Sequence, residues 1–226
     1  MTNASGKHVV ILGATGAVGT EVMRELAVMD EIEKVTVLTR RPFTAVKSEK
    51  FDEHVVDPLD PDSYRHLLPN HDVAICTLGV GGVSSVSKDE FLRIDRDAVI
   101  AFGQAVKDAG AQHFQLLSSV GVSAKSRIFY LRSKGELENA LRSMGFKRLS
   151  LFHPSNILTP ANRYGIGQAI VLKVWPHLNP LLSGPLRRYR GIRVKTLGQS
   201  FARNCLVAGA SEEVLEWDDF QDLTDG

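Results

Sequence analysis

Apolar and polar positions alternate in blocks along the chain. Short continuous apolar runs are separated by longer segments whose apolar residues recur at helical spacing. The run at residues 8–12 (HVVIL) is rich in β-branched residues and is followed by glycine, which is typical of a strand buried on both faces. This alternation, with short connections, predicts an α/β fold with a doubly wound parallel sheet and helices on both faces. Further strands are predicted at residues 35–38, 54–56, 73–78, 113–118 and 148–152, and helices at residues 16–29, 62–68, 87–110 and 130–144.

The regular alternation ends after the sixth predicted strand. Residues 154–195 contain five prolines, and one helix is predicted within them at residues 166–174. We therefore expect a single domain over residues 1–226. Its core is predicted at about 1–152, and an irregular C-terminal segment at about 153–226 is predicted to supply a small lid over the site.

Three sequence signals mark the ends of helices. Ser87 and Glu90 form a capping box at the start of the third predicted helix. Thr196 and Gln199 form another, which predicts a helix that begins there and runs towards the C-terminus. Gly145 follows the fourth helix as a C-cap.

Composition narrows the class of protein. The 226 residues carry 27 basic and 26 acidic side chains, a net charge of +1, so no global field draws the chain to nucleic acid or to an anionic membrane. No apolar window reaches the ~18 residues of a membrane-spanning helix. With two cysteines and no histidine in a metal-ligand spacing, neither a disulfide framework nor a metal site is expected. The N-terminus shows no secretion signal, which predicts a cytoplasmic protein.

A glycine-rich loop, GATGAVG, joins the first predicted strand to the first helix. Gly13 allows the tight turn, Gly16 admits a phosphate close to the backbone, and Gly19 lets the helix pack closely on the sheet. The pyrophosphate of a dinucleotide would lie at the helix N-terminus, where amide donors and the helix dipole favour negative charge. The loop residues between the glycines belong to the same predicted site: Thr15, Ala17 and Val18. A plain strand–turn–helix corner is the alternative.

The end of the second strand carries the signal for cofactor choice. Sites specific for NAD place an acidic residue about 20 residues after the loop, but Arg40 and Arg41 stand there, Arg40 being 21 residues after Gly19. A guanidinium can hold a 2′-phosphate bidentately, which predicts NADP (NADPH); solvated charges are the alternative. Asp57, after the third strand, is placed to accept a hydrogen bond from the adenine amino group. As it precedes Pro58, it is equally typical of a turn.

A tyrosine and a lysine lie downstream of a serine pair. Ser118 and Ser119 end the fifth strand, and the next helix carries Tyr130 and Lys134, four residues apart and hence on one helix face. A tyrosine needs help to act as an acid or base near neutrality, and an ammonium group nearby stabilises its phenolate. A serine at the strand end can orient a substrate carbonyl. A surface tyrosine and lysine on an amphipathic helix are the alternative.

These motifs resemble the short-chain dehydrogenase/reductase superfamily. The glycine spacing GATGAVG is similar to that of its atypical and extended branches, and not to that of the branch with the standard spacing. The strand end LLSSVG, the helix FYLRSKGELE and the segment HPSNIL resemble more closely the subgroup of the Tat-interactive oxidoreductase. The resemblance covers most of the chain and is weaker beyond residue 160.

The resemblance implies a Rossmann-like sheet, an NADP(H) cofactor and a catalytic set of Ser119, Tyr130 and Lys134. Ser118 is the alternative serine, since a one-residue shift at the strand end would exchange the two. The resemblance also implies further contacts to the cofactor, at Thr77, Leu78, Gly79, Ser118, Tyr130, Lys134, Pro154 and Ser155. Asp95, in the long helix, falls near the superfamily's buried polar helix residue.

Two positions depart from the family pattern. The segment from Thr77 to Gly79 stands where many members have Asn-Ala-Gly, which changes the polar contacts on the cofactor side. His153 stands where an arginine is common.

The function expected from these residues is reduction of a small carbonyl compound by hydride transfer from NADPH, with Tyr130 as the proton donor. The alternative is a regulatory protein that senses the dinucleotide without turnover. The expected partner is a small-molecule carbonyl substrate, with no nucleic acid and no membrane. The sequence leaves the oligomeric state open, a homo-oligomer included.

Two further segments leave alternatives open. The basic run at residues 187–195 is a solvated loop, the entrance for an anionic substrate, or a contact to nucleic acid. Residues 79–87 are small and follow the fourth strand, so they either close over the cofactor or form a plain long loop.

Overall fold

A seven-stranded parallel sheet forms the centre of the computed structural model, which describes residues 6–80, 86–160, 175 and 179–225. The strands are β1 (Lys7–Leu12), β2 (Ile32–Thr39), β3 (Phe51–Val55), β4 (Val73–Cys76), β5 (His113–Leu117), β6 (Arg148–Phe152), β7 (Ile157–Leu158), β8 (Ile192–Arg193) and β9 (Glu212–Leu215). The helices are α1 (Ala17–Val28), α2 (Lys88–Leu92), α3 (Ala98–Asp108), α4 (Phe129–Ser143), α5 (Val194–Asn204) and α6 (Trp217–Asp225). β7 and β8 pair separately as a small parallel ribbon.

The order of the strands in the sheet is β3-β2-β1-β4-β5-β6-β9. The chain runs outward from β1 to β3 in one direction and then from β4 to β9 in the other. The order therefore reverses between β1 and β4, and a crevice for a ligand opens there at the carboxyl ends of the strands. The predicted Rossmann-like, doubly wound sheet is confirmed.

Two apolar layers cover the two faces of the sheet. The continuous apolar run of β1 contributes side chains to both layers. Val9 and Ile11 face the layer formed with α1, α5 and α6, whereas Val10 and Leu12 face the layer formed with α3 and α4. Because successive residues of a strand point to opposite faces, a strand buried on both sides needs apolar residues throughout. Among the described residues, no helix is long and apolar enough to cross a membrane.

Two of the predicted helix ends are confirmed. Oγ of Ser87 accepts a hydrogen bond from the backbone N–H of Glu90 at 3.1 Å at the start of α2. Gly145, beyond α4, has a φ of +66°, the left-handed conformation in which glycine carries no steric penalty.

Three helix predictions need correction or lie outside the described residues. The helix predicted at residues 62–68 is instead two short 3₁₀ segments, Pro61–Ser63 and Arg65–Leu67, held by the buried Tyr64 between them. The predicted long helix is divided by a π-helical segment, Arg93–Asp97, which joins α2 to α3. The helix predicted at residues 166–174 falls on residues that the structure does not describe.

The capping box predicted at Thr196 and Gln199 is wrong. Helix α5 begins at Val194, and its N-cap Arg193 makes no side-chain capping hydrogen bond. The start of α5 is set by packing, because the apolar residues of its first turns are buried against α1, where Gly198 allows close approach to the backbone of α1.

The core extends beyond the predicted limit at about residue 152. Strand β9 pairs in parallel with β6, so the sheet has a seventh strand that the sequence pattern did not reveal. Phe201 of α5 and Phe220 of α6 are fully buried and stack on the ring of Phe152 in β6. The described part of the C-terminal third therefore completes the sheet and one apolar layer, and the predicted lid falls in part on residues that the structure does not describe.

Candidate active site

The glycine loop forms a cradle of bare backbone between β1 and α1. Gly13 has a φ of +102°, and a Cβ placed on it would lie 2.5 Å from the backbone nitrogen of Leu78. A Cβ on Gly19 would overlap the carbonyl oxygen of Gly13, and one on Gly16 would lie 3.3 Å from that same oxygen. Gly13 and Gly19 are therefore required for the close approach of β1, β4 and α1, whereas a Cβ on Gly16 would be a tight contact only.

The first turn of α1 has the properties of an anion site. Its N-cap is Gly16, no side chain caps it, and the turn contains no acidic residue. The backbone N–H groups at the start of a helix have no partner within the helix and carry a partial positive charge. Thr15 is exposed and Ala17 half-buried at this end, while Val18 is buried under the helix. The cradle and the helix end together fit a pyrophosphate.

Thr77 supports the cradle from β4. Its buried hydroxyl donates a hydrogen bond to the carbonyl oxygen of Gly13 at 3.0 Å. Leu78 is half-buried and Gly79 exposed, so the chain emerges from the sheet after Thr77. Thr77, which departs from the family pattern, thus stabilises the glycine loop.

The two arginines at the end of β2 are exposed. Neither Arg40 nor Arg41 forms an ion pair or hydrogen bond within the described part of the chain, and both follow β2 directly. Asp57 is exposed as well, and its Oδ1 accepts a hydrogen bond from the backbone N–H of Leu59 at 2.9 Å. This contact is a turn of the kind that Asp commonly forms, so the structure provides direct evidence for the turn interpretation of Asp57.

Lys134 of α4 forms a buried ion pair with Asp95 of the π-helical segment. Its Nζ lies 3.5 Å from Oδ1 of Asp95, and the two side chains are only 4% and 5% exposed. Oδ2 of Asp95 accepts a hydrogen bond from the backbone N–H of Val80 at 2.9 Å. The π-helical segment brings Asp95 inward, so that one carboxylate holds both Lys134 and the start of the loop after β4.

Tyr130 lies one helical turn before Lys134 and is half-buried. Its ring meets that of Phe91 edge to face, with 5.9 Å between the ring centres. In the described part of the chain its hydroxyl makes no hydrogen bond, so the ring is held while the hydroxyl stays available.

The structure distinguishes the two serines at the end of β5. The hydroxyl of Ser118 is buried and donates a hydrogen bond to the carboxylate of Glu138. Ser119 is half-buried, and its hydroxyl has no partner among the residues that the structure describes. Within the described residues, Ser119 is therefore the serine whose hydroxyl is available to a ligand.

Pro154 and Ser155 lie beside Ser119. The carbonyl oxygen of Pro154 accepts a hydrogen bond from the backbone N–H of Val120 at 3.0 Å, and the N–H of Ser118 donates to the carbonyl of Phe152 at 2.8 Å. The segments that follow β5 and β6 thus run together at the carboxyl edge of the sheet.

A buried cluster around Glu138 was missed by sequence reasoning. Glu138 accepts hydrogen bonds from Ser118, His153 and Arg142. Helical register was the one signal that pointed to it, since Glu138 follows Lys134 by four residues on the same face of α4. Its partners on other elements are brought to it only by the fold.

Part of the basic run packs against α6. The guanidinium groups of Arg187 and Arg190 lie 5.3 Å and 4.8 Å from the centre of the Trp217 ring, and Arg187 also pairs with Asp218. Cations over an aromatic face are attracted by its electrons. These two arginines thus have an intramolecular role that none of the three sequence interpretations included. In the predicted loop at residues 79–87, residues 81–85 lie outside the described part.

The fold and the glycine cradle define a protein of the oxidoreductase type that binds a nicotinamide dinucleotide. Residues 13–150 match the protein family described as NAD(P)H-binding. Protein HTATIP2 of Rattus norvegicus is 34% identical over 214 residues, which cover 93% of this chain and 86% of the relative. The chain belongs to this NAD(P)H-binding family, as an atypical short-chain dehydrogenase/reductase of the HTATIP2 type.

Solved structures with the same fold include dinucleotide complexes. MoeE5 in complex with UDP-glucuronic acid and NAD superposes with a TM-score of 0.70 at 16% identity, covering 93% of this chain and 75% of that one. The enzyme WbmH of Bordetella bronchiseptica, in complex with NAD⁺, gives a TM-score of 0.68 at 15% identity, with 93% and 75% covered. These similarities confirm the fold.

The comparison corrects one expectation. Protein FMP52 of Candida albicans, whose name calls it mitochondrial, is 29% identical over 166 residues, 71% of this chain and 72% of the relative. Further relatives from Aspergillus niger and Lodderomyces elongisporus carry the same mitochondrial name. The expectation of a cytoplasmic protein is therefore wrong, because it rested on the missing secretion signal, which does not bear on mitochondria.

Proposed function

We propose that this protein is an NADP(H)-dependent oxidoreductase that reduces a small carbonyl compound, with Tyr130 as the proton donor. The observation that carries the proposal is the arrangement at the start of α4. Tyr130 has a hydroxyl without a partner in the described part of the chain, on a ring held by Phe91 and one turn from the buried ammonium of Lys134. Ser119 lies two residues after the end of β5, and its hydroxyl has no partner among the described residues.

The residues of the crevice fit the dinucleotide. The cradle of Gly13, Gly16 and Gly19 and the uncapped start of α1 would hold the pyrophosphate. Thr77 keeps the cradle in shape, and Leu78 and Gly79 would line the path towards the nicotinamide. When bound, the reduced cofactor supplies a hydride for the carbonyl carbon.

The choice of NADP(H) over NAD(H) rests on the end of β2. Arg40 and Arg41 are exposed there without acidic partners among the described residues, so their charge is available to a ligand. A 2′-phosphate offers oxygens that a guanidinium can bind through two parallel hydrogen bonds. An acid that would favour the unmodified ribose does not follow β2.

Side chains of the protein carry out the proton transfer and orient the carbonyl group. Tyr130 gives a proton to the carbonyl oxygen, and the ammonium of Lys134 stabilises the phenolate that this leaves. Ser119 donates a hydrogen bond that orients the same oxygen. Pro154 and Ser155 would form a wall of the site beside Ser119, which is supported by the backbone hydrogen bond from Val120 to Pro154. Asp95 keeps Lys134 in place through the buried ion pair.

The test of the proposal is oxidation of NADPH by the purified wild-type protein with a panel of aldehydes, ketones and quinones. We expect at least one member of the panel to be reduced. Tight NADPH binding with no turnover of any member would contradict the proposal and favour a regulatory protein that senses the dinucleotide. The proposed partner is a small molecule, and neither nucleic acid nor membrane enters the proposed reaction.

We propose a mitochondrial location, which is supported by the names of the FMP52 relatives. The full chain, carrying a fluorescent protein at its C-terminus, should coincide with a mitochondrial dye in living cells. A diffuse signal through the cytosol would contradict this location.

A further inference from the structure

Glu138 is a buried carboxylate with three side-chain partners. It lies on α4, and its residue is 2% exposed. Oε1 accepts hydrogen bonds from Oγ of Ser118 and from Nε2 of His153, the second at 2.7 Å, and Oε2 accepts one from Arg142 at 3.3 Å. We call these four residues the Glu138 cluster. Because a carboxylate can only accept, Nε2 of His153 carries the proton in this contact.

The carboxylate is held in its ionised form. Burial works to raise the pKa of Glu138, but the hydrogen bonds from His153 and Ser118, with the charges of His153 and Arg142, outweigh it and keep the pKa below its ordinary value. A buried negative charge with several charge-assisted hydrogen bonds fixes the directions of its donors more firmly than a neutral group would.

The cluster joins three elements at the proposed site. Ser118 comes directly after β5 and precedes Ser119, whereas His153 comes directly after β6 and precedes Pro154. Glu138 belongs to α4, the helix that carries Tyr130. One carboxylate oxygen thus binds the ends of two neighbouring strands to the helix with the proposed proton donor.

Packing alone does not explain an ionic cluster at this place. Apolar side chains of similar volume generally stabilise a buried position as well as an ion pair does, since they avoid the cost of desolvating charges. What an ionic cluster adds is fixed geometry between particular atoms. The neighbouring backbone hydrogen bond from Val120 to Pro154 holds the two strand ends to each other but not to α4.

We propose that Glu138 is a positioning residue, which fixes the ends of β5 and β6 against α4 through Ser118 and His153. The distances from Ser119 and from Pro154 to Tyr130 depend on this contact. The inference rests on the proposed function, because it concerns the geometry of the same reaction, and it assigns Glu138 no contact with the substrate or the cofactor.

The test begins with Glu138→Gln, which keeps the size of the side chain and removes its charge. We expect an unchanged dissociation constant for NADPH, because neither the glycine cradle nor Arg40 belongs to the Glu138 cluster. The turnover number should fall by about 10–100-fold, as expected when reacting groups are displaced by about 1 Å. Glu136→Gln is the matched control, since Glu136 pairs with Arg96 on the exposed side of α4, and it should retain the wild-type turnover number.

Two variants of His153 separate positioning from packing. His153→Gln retains an N–H donor near the place of Nε2, whereas His153→Leu has similar bulk and no donor. We expect His153→Gln to retain most of the wild-type turnover number. In His153→Leu, the turnover number should fall by as much as it does in Glu138→Gln. Equal turnover numbers in the two variants would overturn the proposal, as would a folded Glu138→Gln protein with a lower melting temperature and the wild-type turnover number.

A second readout keeps this inference separate from the proposed function. The fluorescence of the reduced nicotinamide ring reports how firmly the ring is held, whether or not any carbonyl is reduced. If the wild type reduces no member of the panel, the proposed function fails. The positioning role of Glu138 is then tested by the fluorescence measurement alone. The fluorescence of bound NADPH should change in Glu138→Gln and not in Glu136→Gln; the same fluorescence in all three proteins would overturn the positioning role.

Discussion

At the scale of single residues, the site combines buried charges with free hydroxyl groups. Lys134 and Asp95 are almost fully buried as an ion pair, and Tyr130 and Ser119 keep hydroxyls without partners in the described part of the chain. Removing one member of a buried pair leaves an uncompensated charge, which is strongly destabilising. The pair therefore places the ammonium of Lys134 firmly on α4 before any ligand binds.

Arg40 gives the residue-scale prediction about the cofactor. Changing Arg40→Asp removes a guanidinium and adds a charge that repels a 2′-phosphate, so NADPH affinity should fall by about 10–100-fold, since hydrogen bonds to charged groups contribute about 1.5–3 kcal/mol. NADH affinity should be kept or improved. Fluorescence titration of both cofactors measures this, with Arg24→Asp on the solvent side of α1 as the control. Wild-type preference for NADPH in the Arg40→Asp protein would show that Arg40 does not select the cofactor.

The site could be predicted from the sequence where the residues of a motif lie close together along the chain. The glycine loop, the arginines after β2 and the Tyr130–Lys134 pair each rest on spacing within one short segment. The choice between Ser118 and Ser119 needed the structure, because neighbouring residues at a strand end point to opposite sides. The contact between Glu138 and His153 could not be predicted, since the two are 15 residues apart and meet only when α4 packs against β6.

At the scale of elements, β5, β6 and β9 share a buried polar network. Nε2 of His113 lies 2.7 Å from Oγ of Ser150, and Ser150 donates to Oε1 of Glu213 at 2.5 Å. Because the single hydroxyl proton of Ser150 goes to the carboxylate, Nε2 of His113 must donate to Ser150. Arg148 pairs with Glu213 at 2.6 Å, so the network ties the edge strand β9 to the centre of the sheet.

This network gives a prediction about pH. Burial, with a smaller contribution from the charge of Arg148, lowers the pKa of His113 from 6.5 to about 3. Below about pH 6.5, His113 is therefore protonated in the unfolded chain but stays neutral in the folded chain. The free energy of unfolding consequently decreases as the pH falls from about 6.5 towards 3. Between about pH 7 and pH 5, the wild type should lose about 2 kcal/mol more unfolding free energy than His113→Gln, which retains a donor for Ser150.

Urea unfolding of both proteins at the two pH values measures the difference. Equal losses in the wild type and in His113→Gln would show that His113 is not kept neutral in the folded state.

Most elements could be predicted from periodicity, and the exceptions have physical causes. β9 is an edge strand with the sequence EEVL, so it shows no apolar run, and α6 carries several acidic residues in nine positions. β9 depends on its pairing with β6, which is far away in sequence, and α6 on its packing against α5. The start of α5 was misplaced because tertiary burial of Val194 outweighed a local capping signal.

At the scale of the whole molecule, the two ends of the chain share one apolar layer. Phe220 of α6 is fully buried and lies parallel to Phe152, with 5.8 Å between ring centres and 4° between ring planes. Phe201 of α5 stacks on the same ring at 3.6 Å. Since α5 also packs on α1, unfolding of the C-terminal third would expose the layer beside β1.

This sharing predicts one cooperative unfolding transition. Phe220→Ala should lower the unfolding free energy by about 3–5 kcal/mol, the usual cost of removing a buried aromatic ring. The transition should stay single when followed by circular dichroism and by tryptophan fluorescence. Leu186→Ala, at a residue that is 51% exposed, is the control and should change the free energy by less than about 0.5 kcal/mol. Two separate transitions would contradict the prediction of a single domain.

The central claim, reduction of a carbonyl with Tyr130 as the proton donor, is tested most directly by comparing wild type and Tyr130→Phe in NADPH oxidation with the same carbonyl substrate. The variant keeps the ring that packs on Phe91 and loses only the hydroxyl, so NADPH affinity should not change. The turnover number should fall by about 10²–10⁴-fold, the contribution of a positioned general acid. Equal turnover by the two proteins would show that Tyr130 is not the proton donor and would contradict the account.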